Sequence, residues 1–211
     1  MDGDLDGIFR AAGSGYLEVA LGDVDFDGED ELLAGSGDAS TAWLAISAID
    51  LQDYNGDGYV DLAVSDMSSN YGGFGLRGLV GVMAGPILAN AAVATEAFLT
   101  VYSSTEEPFA TGLSGGTDFD GDGALDLIIG GIDTIGYGDA FVYLVSGRSG
   151  GVWDAAADGR RVASTDPDDA YVGYALLAGD DWTGDGGNDF LVAGYGAESD
   201  AGRVWVLCGD W

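Results

Sequence analysis

Four nine-residue segments place oxygen-bearing side chains at positions 1, 3, 5 and 9 and a glycine at position 6. They run Asp23-Val-Asp25-Phe-Asp27-Gly28-Glu29-Asp-Glu31, Asp53-Tyr-Asn55-Gly-Asp57-Gly58-Tyr59-Val-Asp61, Asp118-Phe-Asp120-Gly-Asp122-Gly123-Ala124-Leu-Asp126 and Asp181-Trp-Thr183-Gly-Asp185-Gly186-Gly187-Asn-Asp189. The chemistry this spacing suits is capture of a hard divalent cation. Alternate residues turn inward, glycine permits a sharp turn, and the position-7 carbonyl supplies one more oxygen. A single copy would say little, because Asp and Gly are ordinary turn residues. Four copies in register point to Ca²⁺, up to four ions. Catalytic chemistry finds no comparable set: the chain has no histidine, one cysteine, and no serine with an identifiable base. It is read as a non-enzyme.

The residues after each loop decide what must hold it. A helix–loop–helix calcium site needs a bidentate Glu at position 12; here position 12 is Ala34, Val64, Ile129 and Val192. The runs Leu32-Leu-Ala34, Leu62-Ala-Val64, Leu127-Ile-Ile129 and Phe190-Leu-Val192 are short, apolar and bounded by Gly and Asp, which reads as buried strand. Tyr16–Leu21, Trp43–Ile49 and Tyr174–Leu177 read likewise ahead of the loops. Each loop is therefore expected to join two strands of a hairpin. The apolar position-2 residues Val24, Tyr54, Phe119 and Trp182 are expected to turn toward the sheets.

Composition narrows the setting. Six basic residues, all arginine, stand against 37 acidic ones, a net charge of -31. Fourteen of those carboxylates lie at loop ligand positions, and four bound Ca²⁺ would bring the net to about -23. Without metal, crowded carboxylates repel and raise one another's pKa. Nucleic acid is an improbable partner for so anionic a chain, and no apolar run is long enough for direct membrane insertion. The start, Met1-Asp2-Gly3-Asp4, does not read as a signal peptide. Cys208, alone, excludes an internal disulfide and reads as a small core residue of the strand Val204–Cys208. Millimolar calcium outside cells favours a secreted or cell-surface location.

Loop spacing then organises the chain. Asp53 to Asp118 is 65 residues and Asp118 to Asp181 is 63. Such a period, with several short strands per unit, predicts an all-β chain of propeller-type blades of four antiparallel strands. In the third unit the strands are placed at 109–114, 126–131, 140–145 and 160–164. In the second, 79–83 and 97–102 are strands three and four. The last unit ends at a third strand, 202–208. One region spans 1–211: an irregular partial blade at 1–40, blades at 41–104 and 105–168, and an incomplete blade at 169–211. Asp23 to Asp53 is only 30 residues, too short for a blade. Asp2-Gly-Asp4-Leu-Asp6-Gly7 looks like a degenerate further loop with Arg10 at position 9.

These units resemble FG-GAP repeats, the blades of the integrin α-subunit β-propeller and its bacterial relatives. The likeness is carried by Ala110-Thr-Gly112, Gly116-Thr-Asp118-Phe-Asp120-Gly-Asp122-Gly123, Asp126-Leu-Ile-Ile-Gly130-Gly131 and Phe141-Val-Tyr-Leu-Val-Ser-Gly147, then by Val172-Gly173-Tyr174, Asp189-Phe-Leu-Val-Ala-Gly194 and Gly202–Gly209. It covers 41–211 well and 12–40 loosely. The Phe-Gly pair becomes Val172-Gly173, and the Gly-Ala-Pro triplet becomes Gly130-Gly131-Ile132 or Gly194-Tyr195-Gly196. The resemblance implies calcium held in hairpin loops on one face. The side-chain ligands would be Asp23, Asp25, Asp27, Glu31; Asp53, Asn55, Asp57, Asp61; Asp118, Asp120, Asp122, Asp126; and Asp181, Thr183, Asp185, Asp189, with the carbonyls of Glu29, Tyr59, Ala124 and Gly187. The neutral hydroxyl of Thr183 should make site four weaker than site three. Asp66-Met-Ser68-Ser69-Asn70 lacks the second spaced serine of an adhesion motif and reads as a loop.

The resemblance implies adhesion or ligand binding, with protein or glycan as the ligand. About three to four blades fit the length, so the chain is expected either to continue in a longer polypeptide or to self-associate to complete a propeller. Two alternatives stand beside this: a structural surface protein forming fibres through blade edges, and a non-catalytic accessory domain of a secreted hydrolase. Tyr71, Tyr137, Trp153 and Tyr195 are candidates to stack on sugars, while Trp205 and Phe141 read as core. Arg160-Arg161 reads as a surface anchor to neighbouring carboxylates.

Overall fold

Branched and aromatic residues flank every acidic loop, and in the computed structural model those segments are strands. Residues 17–22, 31–36, 48–66, 78–87, 96–105, 109–131, 141–147, 150–163, 169–196 and 202–209 are described. The chain is all-β, and among the described residues its strands form four sheets, none closed. β1 (Leu17–Gly22) and β2 (Glu31–Ser36) form an antiparallel hairpin. β3 (Ala48–Asp50), β4 (Leu62–Asp66), β5 (Leu79–Met83) and β6 (Leu99–Tyr102) form an antiparallel meander, the second sheet. The third sheet joins β7 (Phe109–Thr117), β8 (Asp126–Gly131), β9 (Phe141–Val145) and β11 (Arg160–Ala163). The fourth holds β12 (Asp169–Ala178), β13 (Phe190–Gly196) and β14 (Arg203–Leu207).

One strand has no counterpart in the sequence reading. β10 (Gly151–Asp154) leaves the third unit and pairs in parallel with β6, covering the outer edge of the second sheet. A bare edge invites pairing with another chain; here the following unit occupies it. Gly150 makes the approach possible: it sits at φ 114° with a Cβ position 2.8 Å from the Phe98 carbonyl oxygen, which also accepts from Gly151 N at 2.7 Å. Asp154 then caps α1 (Ala155–Asp158), accepting from Ala156 N. Trp153 accordingly lies in a strand, half-buried against the core, rather than in an exposed loop. Local patterning could not find β10, because its partner is in another repeat.

The second, third and fourth sheets pack face to face in chain order. Residues directly opposite on neighbouring strands share a face, so the register defines two faces for each sheet. The row Ile49/Ala63/Val82/Leu99 of the second sheet belongs to the large core it shares with Leu127, Ile129, Tyr143 and Val145 of the third. The opposite face of the third sheet, with Ile128, Val142 and Leu144, packs on Phe190, Val192, Leu176, Ala178, Trp205 and Leu207 of the fourth. Edge-on ring contacts add to this packing, Phe109–Tyr143 at 5.9 Å and Phe141–Tyr143 at 5.3 Å within the third sheet and Phe119–Phe190 at 5.3 Å between the third unit and the fourth sheet. Phe141 is core as expected, whereas Trp205 is only half-buried. Arg161 lies over the Phe141 ring at 4.6 Å.

Candidate metal centres

Each described acidic loop joins neighbouring antiparallel strands: 53–61 links β3 to β4, 118–126 links β7 to β8, and 181–189 links β12 to β13. β1 and β2 likewise flank the first loop. Asp23, Asp25, Asp27 and Glu29 of that loop lie outside the described residues, as do Asp2, Asp4, Asp6, Tyr71 and Tyr137.

The three loops repeat one hydrogen-bond plan. The position-6 N–H donates to the position-1 carboxylate: Gly58 to Asp53 at 3.0 Å, Gly123 to Asp118 at 2.9 Å, Gly186 to Asp181 at 3.0 Å. The position-7 N–H donates to the position-5 carboxylate: Tyr59 to Asp57, Ala124 to Asp122, Gly187 to Asp185, all within 3.0 Å. Gly58, Gly123 and Gly186 have φ of 94°, 88° and 95°, and the position-4 glycines Gly56, Gly121 and Gly184 have φ of 80°, 73° and 79°. This left-handed backbone strongly favours glycine, and it curls the N–H groups inward. The position-4 glycine was a signal in the sequence that the spacing rule missed. In the first loop that position is Phe26.

Position 9 is the anchor. Asp61, Asp126 and Asp189 are all 0% exposed although each opens or precedes a strand. Asp126 accepts from Phe119 N at 2.7 Å and Gly147 N at 2.9 Å; Asp61 accepts from Asn55 N at 2.9 Å and Gly85 N at 3.0 Å; Asp189 accepts from Thr183 N at 2.7 Å. Burial pushes the Asp126 carboxyl up to about 6 against these bonds, and burial raises Asp61 as well. At the exposed rim the Gly187 N–H holds Asp185 below the ordinary carboxylate value.

Gly85, Gly147 and Gly209, which follow the third strand of each unit, were not anticipated. A Cβ on Gly85 would lie 2.2 Å from the Val60 carbonyl oxygen, on Gly147 2.8 Å from that of Leu125, and on Gly209 2.3 Å from that of Asn188. Each is the position-8 carbonyl of its loop, so the backbone of the third strand's end seats against the cage. The residue before this glycine also reaches the loop. Ser146 Oγ donates to Asp120 at 2.7 Å, and its counterpart Cys208 lies beside Thr183 and Asp185. Cys208 is thus half-buried at loop four, not a core residue of β14.

Ligand-capable atoms converge in two groups among the described residues: Asp118, Asp120 and Asp126, and Asp185, Asp189 and Cys208, each within 4.8 Å of one another. In loop two Asn55 fills the middle, its amide nitrogen 3.0 Å from Asp57 Oδ2 and 3.4 Å from Asp61 Oδ1. The position-2 rings divide: Tyr54 and Phe119 are buried as expected, but Trp182 is exposed. The loops adjoin. Asn188 Nδ2 donates to Asp118 O at 2.8 Å, and Gln52 Nε2 to Gly116 O at 3.0 Å. The donor set is oxygen-rich and acidic, each carboxylate keeps lone pairs beyond its N–H bonds, and buried negative charge is concentrated at the centre, which fits Ca²⁺. No family model matches the chain, and no curated protein matches it.

Proposed function

We propose that the chain is a calcium-binding module of the FG-GAP propeller type, acting outside the cell in adhesion or ligand binding, with the ions structural. The observation that carries this is the threefold repetition of one cage ending on a fully buried aspartate. A carboxylate with no exposure and a raised pKa is costly alone; a divalent ion a few ångströms away reverses that cost. The cation belongs with the side chains at positions 1, 3, 5 and 9 and the position-7 carbonyl. Asp53, Asn55, Asp57, Asp61 and Tyr59 would form one site, Asp118, Asp120, Asp122, Asp126 and Ala124 another, and Asp181, Thr183, Asp185, Asp189 and Gly187 a third. When bound, Ca²⁺ would supply charge neutralisation and rigidity rather than reactivity.

Two meanders stacked face to face support reading the sheets as blades, and the interlinked loops would gather the ions along one side. A glycan or protein ligand would then meet loops on a rigid frame. Thermal melts in calcium and in EDTA test the metal reading. At a hundredfold excess over Kd each site adds about 2.7 kcal/mol, which for a chain of this size is about 5 to 10 °C. Coincident melts in calcium and EDTA would refute it. A glycan and matrix-protein array tests ligand binding separately.

A further inference from the structure

Position 8 sets loop four apart from its two described neighbours. Loops two and three carry the apolar Val60 and Leu125 there, and loop four carries Asn188. Asn188 stands between Gly187, whose carbonyl is the position-7 donor, and Asp189, the fully buried position-9 carboxylate. Its side chain reaches across to loop three, where Nδ2 donates to the Asp118 carbonyl oxygen at 2.8 Å. Asp118 is position 1 of that loop, and its carboxylate accepts from Gly121 N at 2.7 Å and Gly123 N at 2.9 Å. One residue flanked by two ligand groups of one cage therefore holds the backbone of a ligand residue in the next.

Two further contacts tie the same pair of loops. Gly209 is buried with no room for a Cβ between the carbonyl oxygens of Asn188 and Phe119, positions 8 and 2 of the two cages. The Phe119 ring meets Phe190, the residue after Asp189, edge-on at 5.3 Å. Every one of these contacts falls on a ligand residue or on its immediate neighbour. The tie from loop two to loop three, Gln52 Nε2 to Gly116 O at 3.0 Å, joins residues that precede both cages. Loops three and four are thus the pair in which movement of one cage is passed directly to the other.

We infer that Asn188 is a positioning residue that couples calcium binding at loop four to calcium binding at loop three, so that filling either raises the affinity of the other. The inference rests on the calcium reading proposed above. An ion in loop four draws the Gly187 carbonyl and the Asp189 carboxylate to one centre and fixes the backbone between them. The Asn188 amide then holds the Asp118 carbonyl, which sets the position-1 carboxylate of loop three in place. A second ion meets a cage already partly ordered and has less conformational freedom left to remove. Repulsion between the two ions acts in the opposite sense, and physiological salt screens it beyond about 8 Å. Coupling of this kind is reciprocal: each site changes the other by the same factor.

Titration of the whole chain with calcium chloride, followed by amide NMR, tests it. The Gly123 and Gly186 N–H groups each donate to the position-1 carboxylate of their own loop, so their shifts report loops three and four separately. Added sodium chloride screens the charge that an Asp→Asn change removes. Asp185→Asn, which disables loop four, is expected to raise the calcium midpoint of Gly123 by about fivefold or more. Asp122→Asn, which disables loop three, is expected to raise that of Gly186 by the same factor. Asn188→Ala changes no charge and is expected to raise the Gly123 midpoint comparably, with no further rise when Asp185→Asn is added to it. Asn188→Leu, which places the loop-three residue type there, replaces it should the alanine variant lose the parent's far-UV circular dichroism. Amides that ignore calcium refute the metal reading itself. Amides that respond, with a Gly123 midpoint unchanged or lowered in Asp185→Asn, overturn the coupling alone. A further rise on adding Asp185→Asn to the Asn188 variant removes Asn188 from the path and equally overturns the inference.

Discussion

Asp126 accepts two backbone N–H bonds while its carboxyl is shut away from water, and burial wins: the group is pushed up to about 6. An acid whose folded pKa exceeds its unfolded value, 3.8, binds more protons folded than unfolded between those limits. Its contribution to stability is therefore present at low pH and lost as pH rises through about 6. Asp61 shifts in the same direction and Asp185 in the opposite one. In EDTA the melting temperature is expected to rise as pH falls from 7 toward 5, whereas with calcium bound it should fall, because protons then compete with the ion. Melts across pH in both buffers check the sign. Gly147 makes a second residue-scale test. A Cβ there would meet the Ala124 Cβ at 2.3 Å and the Leu125 carbonyl oxygen at 2.8 Å. Gly147→Ala is expected to cost about 1 to 3 kcal/mol by overpacking and to weaken calcium binding at loop three, read by denaturation and by calorimetric titration.

At the scale of the element, β8 is the strand most enclosed. Leu127, Ile128 and Ile129 are all fully buried, because the sheets on both sides pack against it. A strand covered on both faces reads as a continuous apolar run rather than an alternation. β14 shows the alternation instead: Val204 and Val206 are exposed while Trp205 and Leu207 face the third sheet. Ile128→Ala and Ile129→Ala are each expected to cost about 2 to 5 kcal/mol, and Val204→Ala less than about 0.5 kcal/mol. Urea denaturation of the three variants checks the contrast; equal losses would mean that both faces of β14 are covered in solution.

For the whole molecule the dominant quantity is charge. A net of -31 stores self-repulsion that the metal-free fold must carry. Added sodium chloride is expected to raise the melting temperature in EDTA markedly and that of the calcium form much less, since bound ions already neutralise the loops. Scanning calorimetry at several salt concentrations measures both slopes. Parallel slopes would place the repulsion outside the loops.

The acidic spacing by itself determined the loops, the strands on either side of them and the rejection of a helical calcium hand, because those features depend on residues within about ten positions of one another. Leu79–Met83 and Asp126–Gly131 were legible to the residue for this reason. Only tertiary structure decided the rest. The seat of Gly85, Gly147 and Gly209 under the cages, the turn of Cys208 toward loop four, the parallel seating of β10 on β6 and the exposure of Trp182 all depend on segments distant in the chain. Periodicity reports which face of a strand is apolar; which sheet covers that face, or that none does, is settled by long-range packing to which local sequence is blind.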